Sequence, residues 1–313
     1  MEMIVAKAGV FTTVQDLGRT GHRRFGVPLS GAMDPVALRI ANGLVGNAEN
    51  CAGLELTLGG AELMFPQGAV VAIGGAEYSG IPAWKPFAVA PGETLKLGEC
   101  TRGFRGYVAV RGGLDVPVVL GSRSTYLRGA WGGWMGRKLE AADAIAIGPS
   151  PKLLREVPGV SASWSLLPSY SAEPILRVLA GAQADWYGTS LGAATYRVLP
   201  QSDRMGLRLV GPNLTAKGAK ELVSSAVAPG TVQVPPDGQP IVLGADAQTI
   251  GGYPKVAQVV TVDLPVVAQL RPGDMLKFRT ITLAEAQWLA LQREQDLALL
   301  RNGLRARWDQ AQG

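Results

Sequence analysis

Apolar residues recur along this chain in short runs cut by glycine and proline. Residues 70–73 (VVAI), 107–111 (YVAVR), 175–180 (ILRVLA), 196–199 (YRVL), 231–234 (TVQV), 240–243 (PIVL) and 256–263 (VAQVVTVD) are of strand length and bounded by turn formers. That pattern predicts short β-strands. The longer run VVTVDLPVVAQL, 259–270, also reads as buried strand. Helical spacing is rarer. Residues 34–47 begin with Asp34 in N-cap position and Pro35 at the first turn, then apolar residues at helical intervals. Residues 282–308 open on a capping box, Thr282 with Glu285, and place Ala286, Leu289, Leu297, Leu300, Leu304 and Trp308 on one face. This predicts a C-terminal amphipathic helix packing on the chain's own barrel.

The two halves resemble each other. FPQGAVVAIGGAE (65–77) aligns with PPDGQPIVLGADA (235–247), so that Pro66, Gly68 and Gly74 fall on Pro236, Gly238 and Gly244. PGETLKL (91–97) aligns with PGDMLKF (272–278), and SGAM (30–33) with SDRM (202–205). Three matches in the same order argue for duplication. The expected organisation is a β-rich domain over 1–160, a second over 170–281, and the helix over 282–313. The proline- and serine-rich stretch 149–174 shows no period and is expected to hold the linker.

Composition narrows the chemistry. The net charge is +5 over 313 residues, yet aromatic residues make up only 6% and no nucleic-acid motif is present, so nucleic acid is not the expected partner. His22 is the only histidine, which leaves little room for a histidine-dependent triad or a multi-histidine metal site, and no metal site is expected. Gly-Lys occurs nowhere, excluding the usual P-loop. Cys51 and Cys100, far apart, suggest a reducing compartment, and the apolar runs are too short to span a membrane. A cytoplasmic protein is expected.

The polar stretch GADAQTIGGYPKVA, 244–257, lies between apolar runs. Asp246 has the chemistry of a general base or metal ligand, and Lys255 that of a cation for developing negative charge. Gln248 and Thr249 can hydrogen-bond a polar substrate, and Tyr253 can stack or donate a proton. The alternative is that these groups satisfy one another, with Asp246 capping a turn. In the first half Asp16 and Arg19 pair an acid with a cation, suited to gripping a carboxylate or phosphate or to holding a turn; Asp203 and Arg204 repeat that theme. Asp34 reads as a cap, and Glu55 as a buried acid or the polar face of a strand. Gln233 and Asp237 flank a tight turn, while Trp131 and Trp134 read as a packing flap.

The motifs TVQDLGRTGHRRFGVPLSGAMDPVALRIANGLVGN (13–47), LELTLGGAELMF (54–65), LGSRSTYLRGAWGG (120–133), SDRMGLRLVGP (202–212) and VQVPPDGQPIVLGADAQTIGGYPKVA (232–257) resemble the biotin-dependent carboxyltransferase family, also called allophanate hydrolase subunit 2. The resemblance implies two duplicated cyclophilin-like β-barrels in a mainly β chain. It also implies one component, inactive alone, of an ATP-dependent 5-oxoprolinase complex that opens 5-oxo-L-proline to L-glutamate. Its partners there would be the A-type component and a B-type protein of the carboxyltransferase family. ATP with magnesium would then act at the level of the complex. Biotin-dependent carboxyl transfer to urea or a similar amide is a second implication; the absence of a Met-Lys dipeptide puts biotin on a separate carrier. A third is non-catalytic regulation through a B-type partner that resembles a kinase inhibitor. Against the family pattern, Ile250 stands where a second threonine is expected after Thr249.

Overall fold

The computed structural model describes residues 1–149, 159–163, 166–188, 190–218 and 222–312. They form two compact units, the first from Met1–Arg19, Ser30–Pro168 and Gln295–Gly313, the second from Thr20–Leu29 and Ser169–Glu294. Of the expected linker, 149–174, residues 150–158 and 164–165 lie outside the described residues; of the rest, Ala162 N–H donates to the Trp84 carbonyl at 2.9 Å in the first unit, and the Ala172 carbonyl accepts the Met275 N–H at 2.9 Å in the second.

In the first unit, β1 (Glu2–Ala8), β2 (Phe11–Gln15), α1 (Pro35–Leu44), β3 (Gly53–Thr57), β4 (Ala61–Phe65), β5 (Ala69–Tyr78), β6 (Pro86–Val89), β7 (Glu93–Leu97), β8 (Cys100–Val110) and β9 (Ala144–Ala146) follow in order. They make two sheets, ordered β7-β4-β1-β9 and β2-β3-β8-β5-β6. Met3, Val5, Leu63 and Phe65 from one sheet meet Val14, Leu54, Leu56, Val71 and Val108 from the other in a single core. Alternation along β3 sends Leu54 and Leu56 into that core and leaves Glu55 on the face opposite, beside Tyr107 in register on β8. Over this face lies α1, started as its sequence predicts: the Asp34 carboxylate accepts the Ala37 N–H at 2.9 Å and Pro35 fills the first turn.

The second unit holds β10 (Ile175–Ala180), α2 (Ser190–Ala193), β11 (Thr195–Val198), β12 (Gly206–Val210), β13 (Ser225–Ala226), β14 (Thr231–Gln233), β15 (Ile241–Leu243), β16 (Ile250–Gly251), β17 (Lys255–Val259), α3 (Leu264–Gln269) and β18 (Met275–Thr280). Here the ring closes: β10-β17-β14-β15-β12-β11-β18, with β18 returning to β10 in parallel. Closure removes the sheet edges that an open sheet must otherwise protect. Leu176, Val178, Tyr196, Leu207, Val232 and Phe278 fill the barrel.

The aligned segments have the same local geometry. Gly68 and Gly238 both sit at positive φ, 74° and 75°, and each donates its N–H three residues back, to Phe65 and Pro235 at 3.0 Å. Likewise Glu93 and Asp274 return a carboxylate oxygen to the N–H of Ala90 and Arg271, both at 2.8 Å. Two such turns in the same order are what duplication requires.

One expectation is corrected. Residues 259–270 are not one strand: β17 ends at Val259, a 3₁₀ turn spans Thr261–Asp263, and α3 follows. Pro265, which cannot donate to a sheet ladder, sits in the first turn of α3, while Val267 and Ala268 are buried. The C-terminal helix α4 (Leu283–Gln312) starts where its cap predicts, with Glu285 N–H donating to Thr282 Oγ1 at 3.2 Å. It packs on the chain itself, with Leu297, Leu304 and Trp308 buried. From Gln295 onward it belongs to the first unit: Trp308 Nε1–H donates to the Leu44 carbonyl at 3.2 Å, and Arg111 lies 4.1 Å over the Trp308 ring. Among the described residues no helix is long and apolar enough to cross a membrane.

Candidate functional site

The polar stretch 244–257 runs from the end of β15 through β16 into β17. Close packing shapes it. A Cβ on Gly251 would stand 2.6 Å from the Gln233 side-chain nitrogen, so a larger residue there would have to displace this buried amide. Opposite, β16 pairs with β13 through Ser225–Gly251 and Ala226–Ile250.

The stretch sends its side chains to different places. Asp246 is buried and accepts two hydrogen bonds from Arg204, Nε at 2.8 Å and Nη2 at 3.1 Å. Arg204 is equally enclosed, so this is a desolvated bidentate ion pair joining residues 42 apart in sequence. Next to it, exposed Asp203 accepts the N–H groups of Met205 and Gly206, making the turn that points Arg204 inward. Lys255 is half-buried with Nζ 3.4 Å from the Gly251 carbonyl. Gln248 is exposed, while Thr249 is buried and Ile250 exposed.

Two cavities flank the stretch. One of about 580 Å³ is lined by Arg23, Arg24, Val227, Thr231, Thr249 and Ile250 among others. The other, about 500 Å³, takes Tyr253 together with Trp186, Tyr187, Pro235, Pro236 and Asp237. Asp237 carries the Gln239 N–H at 3.0 Å, so the tight turn expected there exists and its acid serves it. Asp246 and Lys255 line neither cavity.

In the first unit Asp16 is a hub. Its carboxylate accepts Ser122 Oγ–H at 2.6 Å, Arg123 N–H at 2.6 Å and Gly18 N–H at 2.8 Å, and takes the Ser124 hydroxyl as well. Arg19 is wholly buried, donates to the Ser124 carbonyl and lies 4.4 Å over the Trp131 ring. Trp131 in turn meets Tyr126 edge to face at 5.5 Å, which places it in packing. Glu55 is buried and accepts Tyr107 O–H and Met33 N–H, each at 2.8 Å; Tyr107 accepts Asp34 N–H at 2.7 Å. Burial first, then the neighbouring Glu55 and Asp34 carboxylates, pushes the Tyr107 hydroxyl well above its usual range, so it stays protonated and donating.

Sequence reasoning singled out the acids and missed their partners. Ser122 and Ser124 lie inside the motif LGSRSTYLRGAWGG, and Arg23 and Arg24 inside the basic cluster RTGHRR, yet neither cluster points to its neighbour without the fold.

Comparison with known proteins agrees with this architecture. Residues 25–280 match the family model for the carboxyltransferase domain, subdomain A and B. The chain is 41% identical to the C subunit of 5-oxoprolinase from Haemophilus influenzae over 90% of this chain and 92% of that one. It is 39% identical to the protein of the same name from Escherichia coli, over the same shares. The crystal structure of K. lactis urea amidolyase superposes with a TM-score of 0.88 at 30% identity, covering 96% of this chain but only 20% of that one. The chain therefore belongs to the carboxyltransferase family of subdomains A and B.

Proposed function

We propose that this chain is the C-type component of an ATP-dependent 5-oxoprolinase, working with a B-type partner and an A-type partner. The observation that carries this reading is the match to two proteins named as the C subunit of 5-oxoprolinase, spread over nine-tenths of both sequences. Water adds to the lactam carbonyl carbon, the ring C–N bond breaks, and the nitrogen takes a proton to become the amine of glutamate. A lactam is a poor electrophile, so ATP cleavage to ADP and phosphate drives the step, and the site must stabilise developing charge away from bulk water.

Lys255 and Asp246 are the proposed catalytic groups. Lys255 supplies a cation beside the loop, while Asp246 acts with Arg204 as a pair. Thr249 and Tyr253 are proposed substrate contacts because each faces a cavity; Gln248 is exposed beside them, and Arg19, Asp203 and Arg204 position their surroundings. ATP with magnesium acts, in this reading, at the level of the complex. The test is a reconstitution: glutamate and ADP should form in equal amounts from 5-oxo-L-proline.

One observation favours a second reading, biotin-dependent carboxyl transfer with a separate carrier: the superposition on urea amidolyase. It predicts bicarbonate dependence and loss of turnover on adding avidin. Turnover indifferent to both supports the hydrolase.

A further inference from the structure

The 580 Å³ cavity of the second unit has a composition that the residues of the polar loop alone do not explain. One wall is the excursion Thr20–Leu29, which leaves the first half of the sequence to join the second unit. It brings Arg23 and Arg24, carried on a 3₁₀ turn, Arg23–Phe25, that ends at Gly26 with φ 82°. The facing wall is the β13–β16 ladder with Val227, Thr249 and Ile250. Among the described residues no aspartate or glutamate lines the cavity, so the described lining does not neutralise its two guanidinium charges.

The partners of each polar group show what is left for a ligand. Thr231 and Gln258 are consumed by the fold: Thr231 Oγ1 accepts from Ala228 N–H at 3.0 Å and donates to Gln258 Oε1 at 2.8 Å, and Gln258 Nε2 donates to the Pro229 carbonyl at 2.8 Å. Arg23 anchors the excursion by donating to the Val227 carbonyl. Arg24 is exposed and rests 4.7 Å over the Phe25 ring, and among the described residues no carboxylate pairs with it. A planar guanidinium held on a ring, with its donor fork open, matches the geometry of a carboxylate. Apolar Ala226, Val227 and Ile250 supply the rest of the lining, suited to a small ring bearing one anionic group. A nucleotide fits less well, since the described lining offers neither a glycine-rich cradle of N–H groups nor a third cation.

We propose that this cavity is a carboxylate-binding site in which Arg24, backed by Arg23 and the Thr249 hydroxyl, holds the carboxylate of a small cyclic amide acid. The assignment rests on the 5-oxoprolinase reading for the identity of that acid. It deepens the reading, because urea carries no carboxylate and gains nothing from Arg24.

Ligand-observed NMR on the full chain tests it, with 5-oxo-L-proline, the neutral ring 2-pyrrolidinone, acetate and inorganic phosphate as probes. The expected result is binding of 5-oxoproline and acetate but not 2-pyrrolidinone. R24Q should weaken binding about tenfold, the loss of roughly one charge-assisted contact, and R24K, a point charge without the fork, should fall between. Arg24 is exposed, so an unchanged thermal melt should show that R24Q stays folded. Equal binding of the neutral ring, no binding of either carboxylate, or an R24Q protein that binds like wild type overturns the proposal. Phosphate outcompeting the carboxylates also overturns it and assigns the cavity to phosphate. The two readings fail separately: an unchanged KM for 5-oxoproline in the R24Q complex removes the site but leaves the role in that complex, whereas acetate binding lost in R24Q survives even if 5-oxoproline is not the substrate.

Discussion

Each half of this molecule buries an aspartate and an arginine, and the two halves use them differently. In the first unit Asp16 is saturated by two serine hydroxyls and two backbone N–H groups, while Arg19 donates to a backbone carbonyl and lies over the Trp131 ring. In the second unit Asp246 spends its oxygens on Arg204 in a buried ion pair. The same residue types thus make a neutral-donor hub in one half and a charge pair in the other. An acid held by hydroxyls and amides loses one contact at a time. A desolvated pair behaves as a unit, because removing one partner strands a charge away from water.

The largest effect should come from breaking the pair. D246N should cost about 3–5 kcal/mol of unfolding free energy by denaturant titration, since it breaks a bidentate ion pair that is buried at both ends. The double change R204M with D246L should recover most of that loss, because an apolar pair of similar volume has no charge to desolvate. A D246N protein as stable as wild type would mean that the pair is not desolvated in solution.

The hub should yield less. S124A removes one hydrogen bond to Asp16 while Ser122, Arg123 and Gly18 remain, so about 1–2 kcal/mol is expected. A loss as large as that of D246N would show that the hub also acts as a unit and would erase the contrast.

A third acid calibrates both. Asp143, just before β9, is bidentate with Arg137 at 2.7 and 2.8 Å, and this hydrogen-bonded guanidinium holds its carboxyl down at about 2. A folded pKa below the unfolded value adds stability above the unfolded pKa and loses it as pH falls through the folded one. At the surface, screening limits the gain, so D143N should cost about 1 kcal/mol at neutral pH. That deficit should shrink between about pH 4 and pH 2, as wild type itself takes up the proton. A deficit independent of pH would assign the loss to packing rather than charge.

Much of the fold was legible because it rests on local rules. The twin turns at Gly68 and Gly238 follow from glycine at positive φ, and α1 follows from Asp34 and Pro35. Residues 259–270 misled because a short apolar run fits a buried strand or a buried helix equally well; Pro265 was the signal to weigh. The amphipathic face of α4 was readable, but its docking site beside Leu44 depends on tertiary placement. The site was less legible for the same reason. Asp246 and Lys255 stood out as polar groups between strands, but nothing local announces a partner 42 residues away or carries Arg24 to the cavity beside Thr249.

Whether this chain is a working part of a 5-oxoprolinase is decided by a single assay: glutamate release from 5-oxo-L-proline and ATP by the A-type and B-type partners, with and without it. Release only when this chain is present, at one ADP per glutamate, is the expected result. Equal release in its absence would contradict the proposed role.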